Sequence, residues 1–299
     1  MVRVRVPAST ANLGCGYDTF GMALGYYNIV AVEPAAGFSC TVRGEGEGRL
    51  PLNERNLTVR AAAAAYEAAG ESMPPLAFCC ENHIPLSRGM GSSSAAIVGG
   101  IYAANVLMGE PLSADELLAL ATRLEGHPDN VAPALRGGFT VVAQEAGQLF
   151  CRRLPVPDGL RGVLAVPGFP VSTKKARAIL PRQVELADAV FNLSHAAALA
   201  LALAQGDLAG FGAMLNDRLH QPYRFQLIPG AADVVEAAIA AGALGCTLSG
   251  SGSTMISFSE DDDMLRDNIA AAMREAFQEH GVECRILFLK MDNRGVCLF

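Results

Sequence analysis

The sequence predicts an α/β (α+β) chain of two domains, and three observations carry that expectation. The chain has 299 residues, long for one compact unit and enough for two that bury real cores. Period-two apolar runs alternate with Ala- and Leu-rich helical runs along its whole length. Pro155, Pro157 and Gly159 interrupt that alternation near the middle, so the expected domains are 1–155 and 156–299.

The alternating Met-Val-Arg-Val-Arg-Val start predicts a strand over 2–6, followed by a Gly-rich crossover at 14–25 and strands at 26–33 and 38–44. Asn56 leads into a helix over 57–69 that Gly70 stops. A β-rich strand at 76–84 runs into Pro85, and a helix rich in small residues follows at 92–107. Ser113 and Glu116 form a capping box for a helix reaching about residue 124, and a hairpin around Gly147 joins 139–144 to 149–154. Beyond the boundary come a strand at 162–166, helices at 184–205, 208–215 and 231–241, and strands at 247–248 and 254–259. A helix over 264–280 and strands at 284–291 and 295–298 finish the chain. Without the extra helices this order is β-α-β-β-α-β, a ferredoxin-like plan.

Composition narrows the class. Apolar residues are 51% and charged residues 18%, which excludes disorder. Ala (49) and Gly (31) supply 80 of 299 residues while Trp is absent, so the apolar content favours helices and close contacts over bulky patches. A net charge of −7 argues against a nucleic-acid partner. The eight cysteines show no CxxC spacing and read as free thiols of a reducing cytoplasm. The charge-free stretches 89–109 and 237–259 are broken by Gly and Ser, and the N-terminus lacks a signal-peptide core. A soluble cytoplasmic protein without a membrane partner is expected.

The segment Ile84-Pro-Leu-Ser-Arg-Gly-Met-Gly-Ser-Ser-Ser-Ala-Ala96 is the most informative. A strand gives way to a glycine loop and then to a helix N-terminus, where free amides, the helix dipole and three serine hydroxyls favour an anion such as a nucleotide phosphate. Gly89 and Gly91 would let the backbone close on that ligand. The loop lacks the GxxxxGK[ST] of a Walker A site, and Ser94 replaces the third Gly of GxGxxG. No G-x-S-x-G segment supports a hydrolase. In Glu125-Gly-His-Pro-Asp-Asn-Val-Ala-Pro133 a carboxylate could join a serine on Mg²⁺, although a helix-ending loop with Asp129 or Asn130 as cap accounts for the same residues. Ser249-Gly-Ser-Gly-Ser-Thr254 reads equally as a ligand-facing turn or a flexible hairpin.

Together these blocks resemble the GHMP small-molecule kinases. The resemblance rests on Pro7-Ala-Ser-Thr-Ala-Asn-Leu-Gly-Cys-Gly-Tyr-Asp-Thr-Phe-Gly21, the 85–96 loop, 125–133 with Gly137-Gly138-Phe139, and 248–254. Val171-Ser-Thr-Lys-Lys-Ala-Arg177 and Asp217-Arg-Leu-His-Gln-Pro-Tyr-Arg224 extend it over nearly the whole chain. It implies a first domain like domain 2 of ribosomal protein S5 and a ferredoxin-like second domain. ATP would lie over Pro85, Leu86, Ser87, Arg88, Gly89, Met90, Gly91, Ser92, Ser93, Ser94 and Ala95, with Asn56 on the adenine side, and Ser93 and Glu125 would hold Mg²⁺. Asn12, Asp18, His127, Asn130, Thr173, Arg177 and Arg224 would bind the small-molecule substrate.

Asp18 suits an ammonium, and the two arginines suit a carboxylate. An amino-acid alcohol is therefore favoured over an isoprenoid or sugar alcohol, and over a non-catalytic binding member of the fold. Ala11-Asn12 stands where mevalonate-kinase-like relatives carry lysine, so the expected chemistry lacks a dedicated strong base, with Asp129 and Asn130 as the catalytic candidates. Met90 replaces a more usual Leu, and Gln221 stands where Glu is common. Size and resemblance together suggest a homodimer.

Overall fold

The computed structural model describes all 299 residues. Strand β1 (Val2–Ala11) pairs antiparallel with β2 (Phe20–Pro34), with a register shift between Pro7 and Ala8. β1 runs past the predicted 2–6 because its polar continuation is satisfied inside the protein. Ser9 and Thr10 are fully buried, and their hydroxyls bond Asn130 and Ser249. β2 begins inside the predicted crossover. Gly21 is a strand residue whose missing Cβ makes room for the Asp129 carbonyl, which would lie 1.9 Å from it.

The first sheet has the order β11-β1-β2-β4-β3, where β3 is Ser39–Gly44, β4 is Leu76–Asn82 and β11 is Cys297–Leu298. The hairpin β5 (Phe139–Glu145) and β6 (Gln148–Leu154) extends it from β2. Helix α1 (Leu57–Ala68) packs on α2 (Ser92–Leu107), which lies on β1 and β2. Small residues allow that packing: a Cβ on Gly100 would meet the Thr58 carbonyl at 2.2 Å. The charge-free stretch at 89–109 is therefore a core helix. Helices α3 (Ala114–Glu125) and α4 (Val131–Arg136) complete this layer.

The second sheet joins β7 (Arg161–Pro167), β8 (Gly245–Leu248), β9 (Met255–Ser259) and β10 (Cys284–Lys290) in the order β10-β7-β9-β8. All its pairs are antiparallel, the 4-1-3-2 arrangement of a ferredoxin-like fold. Helices α9 (Ala231–Ala240) and α10 (Asp263–Glu279) cover one face through a core of their own. The other face contributes Leu164, Val166, Ile256 and Phe258 to the core that also holds Val4, Val6 and Leu24. The two domains thus share one apolar body. The chain's end returns to the first sheet, where Leu298 opposes Val4, so the 155/156 boundary does not partition the strands cleanly.

The second half of the chain also holds a long helix, α6 (Leu186–Gln205), on which α7 (Leu208–Ala213) packs, and two further short helices, α5 (Thr173–Ala178) and α8 (Gln221–Arg224). α4, α5 and α8 were not expected, and α7 is two residues shorter than the expected 208–215. α6 is the one helix long and apolar enough to cross a membrane, although neither stretch weighed from the sequence contained it. All eight cysteines are free thiols.

Candidate active site

A cleft of about 350 Å³ runs along the seam between the domains. At one end the chain leaves β4, makes the 85–91 loop and enters α2. The N-cap of α2 is Gly91, at φ 70°, with no side-chain cap. The first-turn amides are therefore free, and Gly91, Ser92 and Ser93 line the cleft. Ser93 and Ser94 each donate to Glu125 Oε1, at 2.6 and 3.0 Å, which brings the last residue of α3 to the start of α2. This set of hydroxyl and carboxylate oxygens fits a hard divalent cation that keeps most of its shell as water or phosphate oxygen.

The loop glycines serve a purpose the sequence did not suggest. A Cβ on Gly89 would lie 2.0 Å from the Ser249 carbonyl, and one on Gly91 would lie 2.1 Å from Ser9 Oγ. The protein itself crowds these positions, so glycine is required by packing as well as by positive φ. Arg88 lines the cleft, but its guanidinium is committed to the protein. Its guanidinium donates to the carbonyls of Leu86 (3.0 Å), Pro167 (2.9 Å) and Gly168 (2.6 Å) and so fastens the loop to the end of β7.

At the other end, Arg177 of α5 makes a bidentate pair with Asp18, at 2.7 and 2.8 Å, and also donates to Tyr17 Oη at 3.0 Å. The hydrogen bonds to Asp18 raise the Arg177 pKa. Asp18 sits at φ 54°, and its N–H is held by Asn12 Oδ1 at 3.0 Å. Asn12 Nδ2 in turn reaches the Gly250 carbonyl at 3.0 Å. Arg224 is buried, and burial lowers its pKa. It donates through Nε to Ala176 and through Nη1 to Gly250, which leaves Nη2 without a protein partner. A buried guanidinium with a free arm in a cleft suits a carboxylate. Thr173 Oγ1 and Ser251 Oγ meet at 3.5 Å across the rim.

Between the ends lie His127, Asp129 and Asn130. His127 Nδ1 is 2.5 Å from Asp129 Oδ1, and Asn130 Oδ1 accepts from Ser9 at 2.8 Å. Burial opposes charge on His127, but the hydrogen bond to Asp129 and the charges of Asp129 and Glu125 outweigh it and hold the imidazole above its ordinary 6.5.

The cleft therefore gathers Asn12, Asp18, Asn56, Leu86, Ser87, Arg88, Gly89, Met90, Gly91, Ser92, Ser93, Glu125, His127, Asp129, Asn130, Thr173, Arg177 and Arg224, all singled out in the sequence. Pro85, Ser94 and Ala95 lie off it. Pro85 is buried under the loop, and Ser94 and Ala95 face the core side of α2 with no exposure. Asn56 lines the cleft, but its side chain caps α1 at Thr58 N and braces the Pro51 carbonyl. Gln221 is structural, its Oε1 accepting from Thr247 Oγ1 and Leu248 N, both at 2.8 Å. Tyr17, not among the expected site residues, also belongs to this end: its ring lies 5.1 Å from the Arg224 guanidinium and 5.3 Å from the His220 ring. His220, likewise not among the expected residues, reaches the Gly14 carbonyl through Nε2 at 2.8 Å. An aromatic beside Asp18, and a histidine one turn before Arg224, were the available signals.

Comparison with known proteins agrees with this geometry. The family model for the GHMP kinases N terminal domain matches residues 56–138, and that for GHMP kinases C terminal matches residues 199–279. The chain belongs to the GHMP kinases. Within that family it is similar throughout to proteins named homoserine kinase. That of Moorella thermoacetica is 48% identical over 99% of both chains. That of Synechocystis is 40% identical over 99% of this chain and 97% of the relative. The crystal structure of homoserine kinase from Cytophaga hutchinsonii superposes with a TM-score of 0.90 at 32% identity, covering 100% of this chain and 97% of that one. The L. major mevalonate kinase is a more distant likeness, with a TM-score of 0.73 at 16% identity over 97% of this chain and 95% of that one, and shares the fold.

Proposed function

We propose that this chain is an ATP-dependent homoserine kinase. It would transfer the γ-phosphoryl group of ATP to the side-chain hydroxyl of L-homoserine, giving O-phospho-L-homoserine and ADP as a step toward threonine. One observation carries the reading. A single cleft joins an uncapped helix N-terminus and a serine–glutamate pair at one end to an Asp18–Arg177–Arg224 group at the other. The first end suits phosphates, and the second suits a zwitterion. The location is proposed to be the cytoplasm.

In this mechanism the α2 amides and the 86–93 loop hold the phosphates. Ser93 and Glu125 would hold Mg²⁺, which when bound neutralises phosphate charge. The substrate ammonium sits against Asp18, and its carboxylate takes the free arm of Arg224 and an edge of Arg177, so the ligand shares in the Asp18–Arg177 ion pair. Asn12 and Thr173 frame the ligand, while His127 and Asn130 set the hydroxyl in line with the γ-phosphorus. Phosphoryl transfer through a loose transition state asks mainly for such positioning and charge stabilisation. Asp129 is occupied by His127, which supports a role in holding that imidazole rather than as a strong base.

A coupled ADP-release assay with Mg-ATP and, in turn, homoserine, mevalonate and galactose tests the proposal. Turnover confined to homoserine is expected. Turnover with mevalonate or galactose alone, or no ADP from homoserine, would overturn it.

A further inference from the structure

Tyr17 is the residue of the substrate end that the reaction proposed above leaves without a task. It stands in the turn between β1 and β2, where the Gly16 N–H donates to the Asn12 carbonyl and the Thr19 and Phe20 N–H groups donate to the Gly16 carbonyl. A Cβ on Gly16 would lie 2.2 Å from the Phe20 ring, so the turn closes this tightly only with glycine there. The turn sets two consecutive residues, Tyr17 and Asp18, on one guanidinium. Arg177 Nη1 donates to Asp18 Oδ2 at 2.7 Å and to Tyr17 Oη at 3.0 Å, while Nη2 donates to Asp18 Oδ1 at 2.8 Å.

The five N–H groups of a guanidinium lie in one rigid plane. Asp18 takes one from each Nη, and Tyr17 takes the second hydrogen of Nη1. Arg177 donates to no other protein group, so Nε–H and the remaining Nη2 hydrogen stay free. These two lie side by side on one edge of the plane, spaced for the two oxygens of a carboxylate. Without the Tyr17 hydroxyl the outer Nη1 hydrogen would be open as well, and a carboxylate could reach the fork at a second place. The ring adds to this. Its centroid lies 5.8 Å from the Arg177 guanidinium and 5.1 Å from that of Arg224, within cation–π range of both. One aromatic ring thus borders two like charges, sets their spacing and offsets part of their repulsion. His220 backs the ring at 5.3 Å, with the two planes 33° apart. Burial, and after it the charge of Asp18, raise the Tyr17 pKa, so the phenol stays neutral beside the two cations.

We infer that Tyr17 is a positioning residue that makes the site select for a substrate carboxylate. Its hydroxyl occupies the outer Nη1 hydrogen of Arg177 and its ring spaces Arg177 from Arg224, so that one carboxylate-shaped edge is left to the ligand. The inference rests on the homoserine reading above and deepens it.

Steady-state kinetics with L-homoserine and L-homoserinol read the outcome. Homoserinol keeps the ammonium and the side-chain hydroxyl but carries a hydroxymethyl group in place of the carboxylate. Tyr17→Phe keeps the ring and removes the hydroxyl. It is expected to raise KM for homoserine about tenfold, the scale of one hydrogen bond to a charged group, with kcat and KM for ATP changed less than about twofold. Its kcat/KM for homoserinol should also change less than about twofold, so the preference for homoserine falls about tenfold. A merely structural role would lower kcat/KM for both substrates alike. That result, or an unchanged preference, would overturn the inference. A crystal structure of the wild type with homoserine bound covers the case in which Tyr17→Phe fails to fold. The carboxylate should lie on Nε and Nη2 of Arg177 with Tyr17 Oη still on Nη1, and a carboxylate found on Nη1 would refute the assignment. A wild type that releases no ADP with homoserine would remove the kinase reading and this inference with it, whereas homoserine turnover with an unchanged preference in Tyr17→Phe would remove this inference alone.

Discussion

Arg177 shows how much of the substrate end depends on the shape of one side chain. Its planar fork satisfies both oxygens of Asp18 and still reaches Tyr17 Oη. A lysine carries the same charge as a single point and cannot span the carboxylate. Arg177→Lys should therefore raise KM for homoserine by about tenfold to a hundredfold with kcat changed much less, as steady-state kinetics would show; an unchanged KM would remove Arg177 from substrate binding. Asp129 separates two mechanisms. If it only orients His127, Asp129→Asn should cost less than about a hundredfold in kcat, since an amide oxygen still accepts from Nδ1. A loss of about a thousandfold with both KM values unchanged would instead identify a general base.

At the level of elements, the 85–91 loop depends on its attachments. Arg88 looked from the sequence like a phosphate ligand, yet it binds three carbonyls, two of them at the end of β7. Arg88→Met should lower the unfolding free energy by roughly 1–3 kcal/mol, at about 1 kcal/mol per hydrogen bond lost, and raise KM for ATP more than KM for homoserine. Urea titration and kinetics on one preparation check both, and unchanged stability would contradict the attachment. This loop also shows what the sequence could convey. The α2 limits, 92–107, were legible because a glycine loop, three serines and a run of small residues mark its start and face locally. The cleft residues were legible as blocks because each block is contiguous. The partners of Arg88, and the carbonyl and hydroxyl that crowd Gly89 and Gly91, come from distant segments and left no local signal. The continuation of β1 was hidden for the same reason, since the partners of Ser9 and Thr10 lie beyond residue 129.

Across the whole molecule the seam between the domains is polar where the cleft opens and apolar behind it. Asn12 bonds Gly250, Ser249 bonds Thr10, and His220 bonds Gly14, so loops of the second domain hold the substrate loop of the first. His220 makes this seam sensitive to acid. It is fully buried, and burial pushes its pKa down from 6.5 to about 4, with Asp217 opposing and Arg224 adding to the shift. Above pH 6.5 the imidazole is neutral in both folded and unfolded chains and contributes no pH dependence. Between 6.5 and about 4 the unfolded chain takes up a proton that the folded chain refuses, so stability falls as pH falls and levels off below the folded value. At about 1.4 kcal/mol per unit, the loss by pH 4.5 is on the order of 2–3 kcal/mol. His220→Gln retains a donor for the Gly14 carbonyl and has no such proton. Its unfolding free energy in urea should therefore decline less than that of the wild type between pH 7 and pH 4.5, by roughly that amount. The carboxylates that titrate in the same range are common to both chains, so the difference between the two curves isolates His220, and parallel curves would place the acid sensitivity of the seam elsewhere.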